Sequence, residues 1–595
     1  MRSGCCPLST VVTNPYLSEV MAVPLTQVDR MKKWMADERI EDYSLRYAPQ
    51  SFRRWGPYAV ATTALGGIAY LADFSIGGAI ALGHGFTNAA IAIAVAAVII
   101  FLTGIPIAYY SARYGVDMDL LTRGAGFGYL GSTLTSIVYA TFCFIFFALE
   151  GSIMAQALKL GLHIPINVSY VLSCVVVLPL VIFGMSALSK MQVWTQPLWL
   201  AMMVAPFIIV GIHDPHSYAA FTHWGGTAHD NRFTAIGFGA GAGVALSLIA
   251  QIGEQADYLR FMPAKTPQNS RRWWAAVITA GPGWIVLGAL KQIGGAFLAF
   301  YVVSKVGAKV ADEPVWQYLH GLRAAWAGGA LTLAVLFVLL SQVKINTTNA
   351  YSGSLSWSNF FSRLTHRHPG RFVWIFFSVG ISLVLMELNM FADLDNILNF
   401  YSNVAIAWIG AVTADLVINK PMGWSPPGIE YKRGHLYNFN PVGFGAMLAA
   451  SGISIAAYFS AFGSYGKAFS TFIALGVAMI LSPLLAKLTK GKYYIAREDT
   501  LDSPLWVGDT LSTEIHTCTV CLGEFERPDV HSCPAYAGTI CSLCCSIDAR
   551  CHDRCKAPGG SDPAGWQTID LSVRVTPATE AGILTGESIR VAEGT

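Results

Sequence analysis

Charge is scarce in this chain. Only 13% of its 595 residues are Asp, Glu, Lys or Arg, while 54% are apolar; a soluble protein carries about twice that charged fraction. The balance of signs is also nearly even, a net +3 at neutral pH, too little excess to hold a nucleic acid through its phosphates. No nucleophile–base constellation is visible outside a cysteine cluster near the end, which argues against an enzyme. No span repeats a ring of charged or carbonyl-lining residues, which argues against a channel. No apolar run precedes Tyr58, so neither a cleavable signal nor a lipoprotein reading of Cys5 and Cys6 is expected. What is abundant is long uncharged apolar runs from Tyr58 to Leu485, each near the ~20 residues that cross a bilayer as a helix.

These runs predict an all-α polytopic membrane protein with twelve spans, at 58–82, 87–110, 133–158, 168–186, 194–212, 234–258, 275–302, 325–350, 372–391, 396–418, 441–462 and 467–487. Residues 1–56 form a polar leader, 57–490 the membrane domain and 491–595 a tail. Arg53, Arg113, Arg123, Arg271, Arg272, Arg363, Arg367 and Lys490 fall on one side, against few on the other. The positive-inside bias therefore predicts a multi-pass protein of the inner (cytoplasmic) membrane with both termini in the cytoplasm.

The stretch Ser341–Phe361, SQVKINTTNAYSGSLSWSNFF, is polar yet continues an apolar run without a break. As a helix it sets Lys344, Thr348 and Tyr351 on one face and Asn346, Asn349 and Gly353 on a neighbouring one. In hydrocarbon such a helix must face a cavity or another polar helix; the alternative is an aqueous end that begins at Lys344. Two spans are rich in glycine: the first, with Gly66-Gly67 and Gly77-Gly78 around Asp73, and the sixth, with four alternating glycines from Gly237 to Gly243. Paired interruptions of this kind mark a transporter of inverted repeats whose site lies at the breaks. Close helix packing is the other use of such glycines.

Four segments carry a resemblance: EDYSLRYAP in the leader, GVDMDLLTRGAGFGYLGS (Gly115–Ser132), QADYLRF (Gln255–Phe261) and the pattern Asn346, Tyr351, Asn359. Together they resemble the nucleobase–cation symporters, the family of cytosine, uracil, allantoin, hydantoin and thiamine permeases, over about residues 40–490. The resemblance implies the leucine-transporter fold, two inverted five-helix repeats plus two helices, and uptake of a small nitrogen heterocycle by alternating access. On YATFCFIFFALEGS it places Phe146 as the ring on which the substrate stacks and Glu150 where a hydrogen-bonding residue can occur. Tyr139, Cys143, Phe146 and Glu150 share a face, as do Ser247, Gln251, Glu254 and Tyr258. Phe146, Glu150, Gln251, Asn346, Cys143 and Ser247 are thus the expected substrate residues, Gln251 because an amide both donates and accepts. Glu150 could instead be protonated or pair with a cation of the bundle, and Asp257 could pair with Arg260. At the positions that supply sodium ligands in relatives stand Lys344 and Ile345. No sodium is expected there; a coupling pair of Lys344 with Asp73 is expected in its place, either cycling protons or static.

The tail holds eight of the twelve cysteines, between Cys518 and Cys555. The pairs Cys518-x2-Cys521 and Cys541-x2-Cys544, in a reducing compartment, point to a metal, zinc being the simplest occupant and an iron–sulfur cluster the other. Redox-active thiols are a further reading. The segment CSLCCSIDARCHDRCK looks like the connectors of transporter–sensor-kinase hybrids, so the rival to a proton-coupled or sodium-independent importer is a ligand sensor that signals to a cytoplasmic partner through this tail.

Overall fold

The computed structural model describes residues 45–53, 56, 60, 63–64, 66–182, 184–367, 370–548 and 550–557. The leader before Leu45 and the chain after Ala557 lie outside the described residues. Nine helices among those described are long and apolar enough to cross a membrane. The principal helices are α1 (Ala72–Tyr114), α2 (Met118–Thr122), α3 (Ser132–Leu162), α4 (Gly184–His213), α5 (Ala235–Ala245), α6 (Ile252–Leu259), α7 (Trp284–Val306), α8 (Ala330–Thr365), α9 (Arg371–Glu387), α10 (Leu394–Ala414), α11 (Ala446–Tyr458) and α12 (Ser470–Thr489). The first two expected spans meet in α1, where Gly85, at φ 75° and ψ 171°, interrupts the helical path. The expected spans 168–186 and 372–391 correspond to helical segments of 17 residues or fewer.

Two glycines decide how closely α1 and α7 cross. A Cβ on Gly77 would stand 1.8 Å from the Gln292 carbonyl oxygen, and one on Gly295 would stand 2.2 Å from that of Phe74. Backbone thus lies on backbone, and the α7 residues just before this crossing are pressed against the start of α1. The α5 glycines serve the same end. Cβ atoms on Gly239, Gly241 and Gly243 would strike Ala468, Ile80 and Asn399. This corrects the expectation that the sixth span breaks at its glycines: they stay helical, and a 3-10 stretch, Leu246–Gln251, follows them.

The polar stretch is helical to Thr365, and Lys344 through Asn359 is buried throughout. Its polar side chains face other helices, not lipid and not open water. Much of the contact is with α3 and the loop before it. Ser136 and Ser356 both donate to Asp119, the latter at 2.9 Å, and Arg363 donates to the Tyr129 carbonyl at 3.2 Å and to Ser132 and Ser136. Asp117 caps α2 by accepting from the Leu120 amide at 2.8 Å and pairs with the wholly buried Arg260 at 3.3 Å. Loss of one partner of such a pair costs about 3–5 kcal/mol. Arg260→Ala is therefore expected to lower the thermal midpoint in detergent clearly. Adding Asp117→Asn, which keeps the cap acceptor, should restore part of it; no recovery would show that the pair is not what the loss measures.

The tail is not wholly helical. Three two-stranded antiparallel ribbons pair β1 (Trp506–Val507) with β2 (Thr510–Leu511), β3 (Ile515–Thr517) with β4 (Glu524–Glu526) and β5 (Val530–Cys533) with β6 (Gly538–Cys541). This module sits on the membrane domain. Arg46 pairs with Asp529 at 2.6 Å, Tyr47 and the Gln50 amide donate to Glu526, and Arg433 pairs with Asp553 at 2.9 Å. Segment 45–53 is wedged between the module and the helix ends, because Arg53 donates to the Met262 and Ala112 carbonyls. The two ends of the described chain thus meet on one face.

Candidate substrate and coupling site

Below Gly66-Gly67 the first span loses its helical hydrogen bonds over Ile68–Leu71, and α1 starts again at Ala72. Unwound backbone inside a membrane domain must find partners from other helices, and Glu150 and Lys291 supply them. Glu150 of α3 accepts from the Leu71 and Ala72 amides, one on each oxygen, both at 3.1 Å. It caps the restarted helix where the exposed N–H groups and the helix dipole both favour a negative charge. Lys291 of α7 donates to the Ile68 and Tyr70 carbonyls at 2.6 and 2.7 Å, pairs with Asp73 at 3.0 Å and lies 3.9 Å from the centre of the Tyr70 ring. Gln292 donates to the other oxygen of Asp73 at 2.9 Å.

The second interruption lies against the first. Gln251, last residue of the 3-10 stretch, reaches the Gly67 carbonyl at 3.4 Å. On α3, one turn before Glu150, stands Phe146, whose ring centre is 4.5 Å from that of Phe142. Asn346 of α8 donates to the Phe147 carbonyl at 3.4 Å and accepts from Asn349 at 3.2 Å. One helix, α3, therefore carries an aromatic face, caps one interruption and is itself held by the polar helix.

A family profile described as permeases for cytosine/purines, uracil, thiamine and allantoin matches residues 47–479. The chain belongs to this permease family. Among solved structures it is similar to Mhp1, a nucleobase-cation-symport-1 family transporter, in a closed conformation with bromovinylhydantoin bound: 17% identity over 75% of this chain and 98% of that one, TM-score 0.54. The inward-facing conformation of Mhp1 is similar to the same degree, at 16% identity over 75% and 93% of the two chains, TM-score 0.54. The permease thus has the fold of Mhp1, the leucine-transporter fold implied by its motifs, and is a secondary transporter and not an enzyme. No curated protein sequence matches it.

Among the expected site residues of this permease, Glu150 and Gln251 reach the first interruption, while Phe146 lies one turn before Glu150 on α3 and Asn346 bonds that helix at Phe147. Cys143 and Ser247 are engaged elsewhere: Cys143 packs its Cβ against Gly353 of α8, and Ser247 donates to its own helix at the Val244 carbonyl, 2.7 Å away. The structure does not join Lys344 to Asp73. Lys344 points to α4, donating to Thr195 at 2.7 Å, to Gln196 at 3.1 Å and to the Gln192 carbonyl at 3.4 Å, while Asp73 has Lys291. Asp257 accepts from Tyr139 at 2.8 Å and from Ser352 at 2.6 Å, and Arg260 forms a salt bridge with Asp117. Lys291 and Gln292 were not foreseen. Their signal was a lone lysine in the middle of the apolar run 275–302, three residues before a glycine pair.

In the tail, the Sγ atoms of Cys518, Cys521, Cys541 and Cys544 all lie within 4.8 Å of one another. Three of the four residues are buried, and Cys541 and Cys544 flank the start of a short helix, Ser542–Ile547. The donor set fits a tetrahedral thiolate-bound metal. The family match ends before this module. Beside it, burial alone would raise the Glu430 carboxyl, but Lys432 and His435 hold it well below the usual carboxylate range.

Proposed function

We propose that this permease imports a nucleobase or related nitrogen heterocycle by alternating access, without sodium at the usual family site or with protons in its place. The observation that supports this reading is that α3, which carries Phe146 one turn before Glu150, caps the first interruption through Glu150. Gln251 of the second interruption reaches the first and Asn346 holds α3, and both are amides that can donate and accept. A planar ring stacked on Phe146 would gain about 0.5–1.5 kcal/mol beyond its buried area, and the amides would read its edge. Alternating access would move this site between the two sides as two inverted five-helix repeats, within twelve spans, rock against each other.

The same reading divides the chain into a leader to residue 56, a transporter domain at 57–490 and a tail from 491. The excess of arginine and lysine on the face where the ends meet supports placing that face in the cytoplasm, across the inner membrane. The tail cysteines Cys518, Cys521, Cys541 and Cys544 would bind zinc or an iron–sulfur cluster, which would supply the cross-link that a module with so small a core lacks.

Net accumulation of labelled cytosine, purine, uracil, allantoin or hydantoin in cells that produce the protein tests the reading. Ligand binding with no accumulation of any of them would overturn it in favour of a sensor. Phe146→Ala should raise the KM of the accepted substrate by roughly three- to tenfold, with Phe146→Trp close to the parent. An unchanged KM in Phe146→Ala would remove the stacking role.

A further inference from the structure

We propose that the Lys291 ammonium is the resident cation of the interrupted first helix and occupies an oxygen cage that would otherwise take a metal cation. The cage consists of the Ile68 and Tyr70 carbonyls and one Asp73 oxygen, at 2.6, 2.7 and 3.0 Å from Nζ, with the Tyr70 ring closing one side at 3.9 Å. Three oxygens match the three N–H donors of an ammonium, and the face of an aromatic ring is itself attractive to a cation.

Both the need for a cation and its supplier are built into the fold. Carbonyls freed from a helix inside a membrane domain, next to a buried carboxylate, leave a site of negative potential that a bound cation must neutralise. The site is reached from α7 because Gly77 and Gly295 let the two backbones touch one residue beyond Lys291. That contact fixes the root of the lysine, and with it the length of side chain available to reach the break. Lys344, also buried, has its own oxygens on α4 and contributes nothing to this cage.

Sodium therefore has no berth here while Lys291 is in place, and removing the side chain should create one. The purified full-length protein can be unfolded by heat in detergent with sodium chloride or choline chloride at equal ionic strength. The parent should give the same midpoint in both salts. Lys291→Ala should unfold earlier in choline and regain a few degrees, saturably, in sodium, as a newly bound ligand requires. Lys291→Ala combined with Asp73→Ala removes both charges and should lose the sodium response; it also serves if the single variant does not fold, since a sodium response in the double variant would place the cation elsewhere. Sodium-specific stabilisation of the parent, or a Lys291→Ala protein that responds equally to both salts, would overturn the proposal. It rests on the importer reading only through a second measurement: uptake of the accepted heterocycle should change by less than about twofold when choline replaces sodium. If no heterocycle is taken up, the importer reading fails while the thermal result still decides the cage.

Discussion

Proteoliposomes carrying Glu150→Ala are expected to show uptake at the background level, with the protein still inserted but its midpoint lowered. Glu150 is fully buried and accepts from two consecutive amides, Leu71 and Ala72, at the point where the first helix starts again. Hydrogen bonds to a charged acceptor contribute about 1.5–3 kcal/mol each, and a buried donor left without a partner costs a further 1–3 kcal/mol or so. Alanine removes both bonds and leaves both donors bare. The restart of α1 then has no reason to stay at Ala72, and Asp73, one residue on, loses its fixed position beside Lys291. Glu150→Gln separates charge from shape: its one carbonyl oxygen can serve one amide, while its NH2 group opposes the other, so uptake should fall but not vanish. Equal activity of Glu150→Ala and the parent would show that neither the cap nor any other carboxylate contact at this position is needed for uptake.

The sequence offers Glu150 as a substrate residue, and the structure adds the two amides that it caps. Helical spacing put Glu150 on the same face as Phe146, which the structure keeps. What spacing cannot supply is the partner, because the orphan amides it caps lie 78 and 79 positions earlier in the chain. The same limit applies to Lys344. The helical wheel placed it on the buried face of α8, but rotation of that helix against its neighbours gives it to Thr195 and Gln196 on α4 and not to Asp73. Lys291 escaped notice because nothing at helical spacing within its own apolar run answers its charge. By contrast, the break after Gly66-Gly67 was legible, since a glycine pair next to an acidic residue in an apolar run has few other uses. The sixth span misled for a related reason: glycine on a helix surface serves close packing as readily as interruption, and here the residues that tighten into 3-10 geometry contain neither glycine nor proline.

The other large effect is expected in the tail. The module of residues 501–557 is held by ribbons of two to four paired residues and an apolar cluster in which the cysteines themselves are major members. A domain that small seldom folds on packing alone, whereas a structural zinc ion bound by four thiolates contributes about 10–16 kcal/mol at neutral pH. Cys541→Ser should therefore lower the metal content of the purified protein by one equivalent, measured by elemental analysis, and render the chain after residue 500 sensitive to protease. Chelation of the parent should do the same, and readdition of zinc should reverse it if zinc is the native occupant. The consequence extends past the module. Tyr47 and the Gln50 amide donate to Glu526 and Arg46 pairs with Asp529, so segment 45–53 loses one of its two anchorages when the module unfolds. Its other anchorage, Arg53 on the Met262 and Ala112 carbonyls, lies on the ends of the very helices that carry the interruptions. Protease cleavage between residues 45 and 53 should rise in step with metal loss. A fully metallated Cys541→Ser protein, or a module equally resistant with and without chelator, would show that packing and not metal holds the tail together.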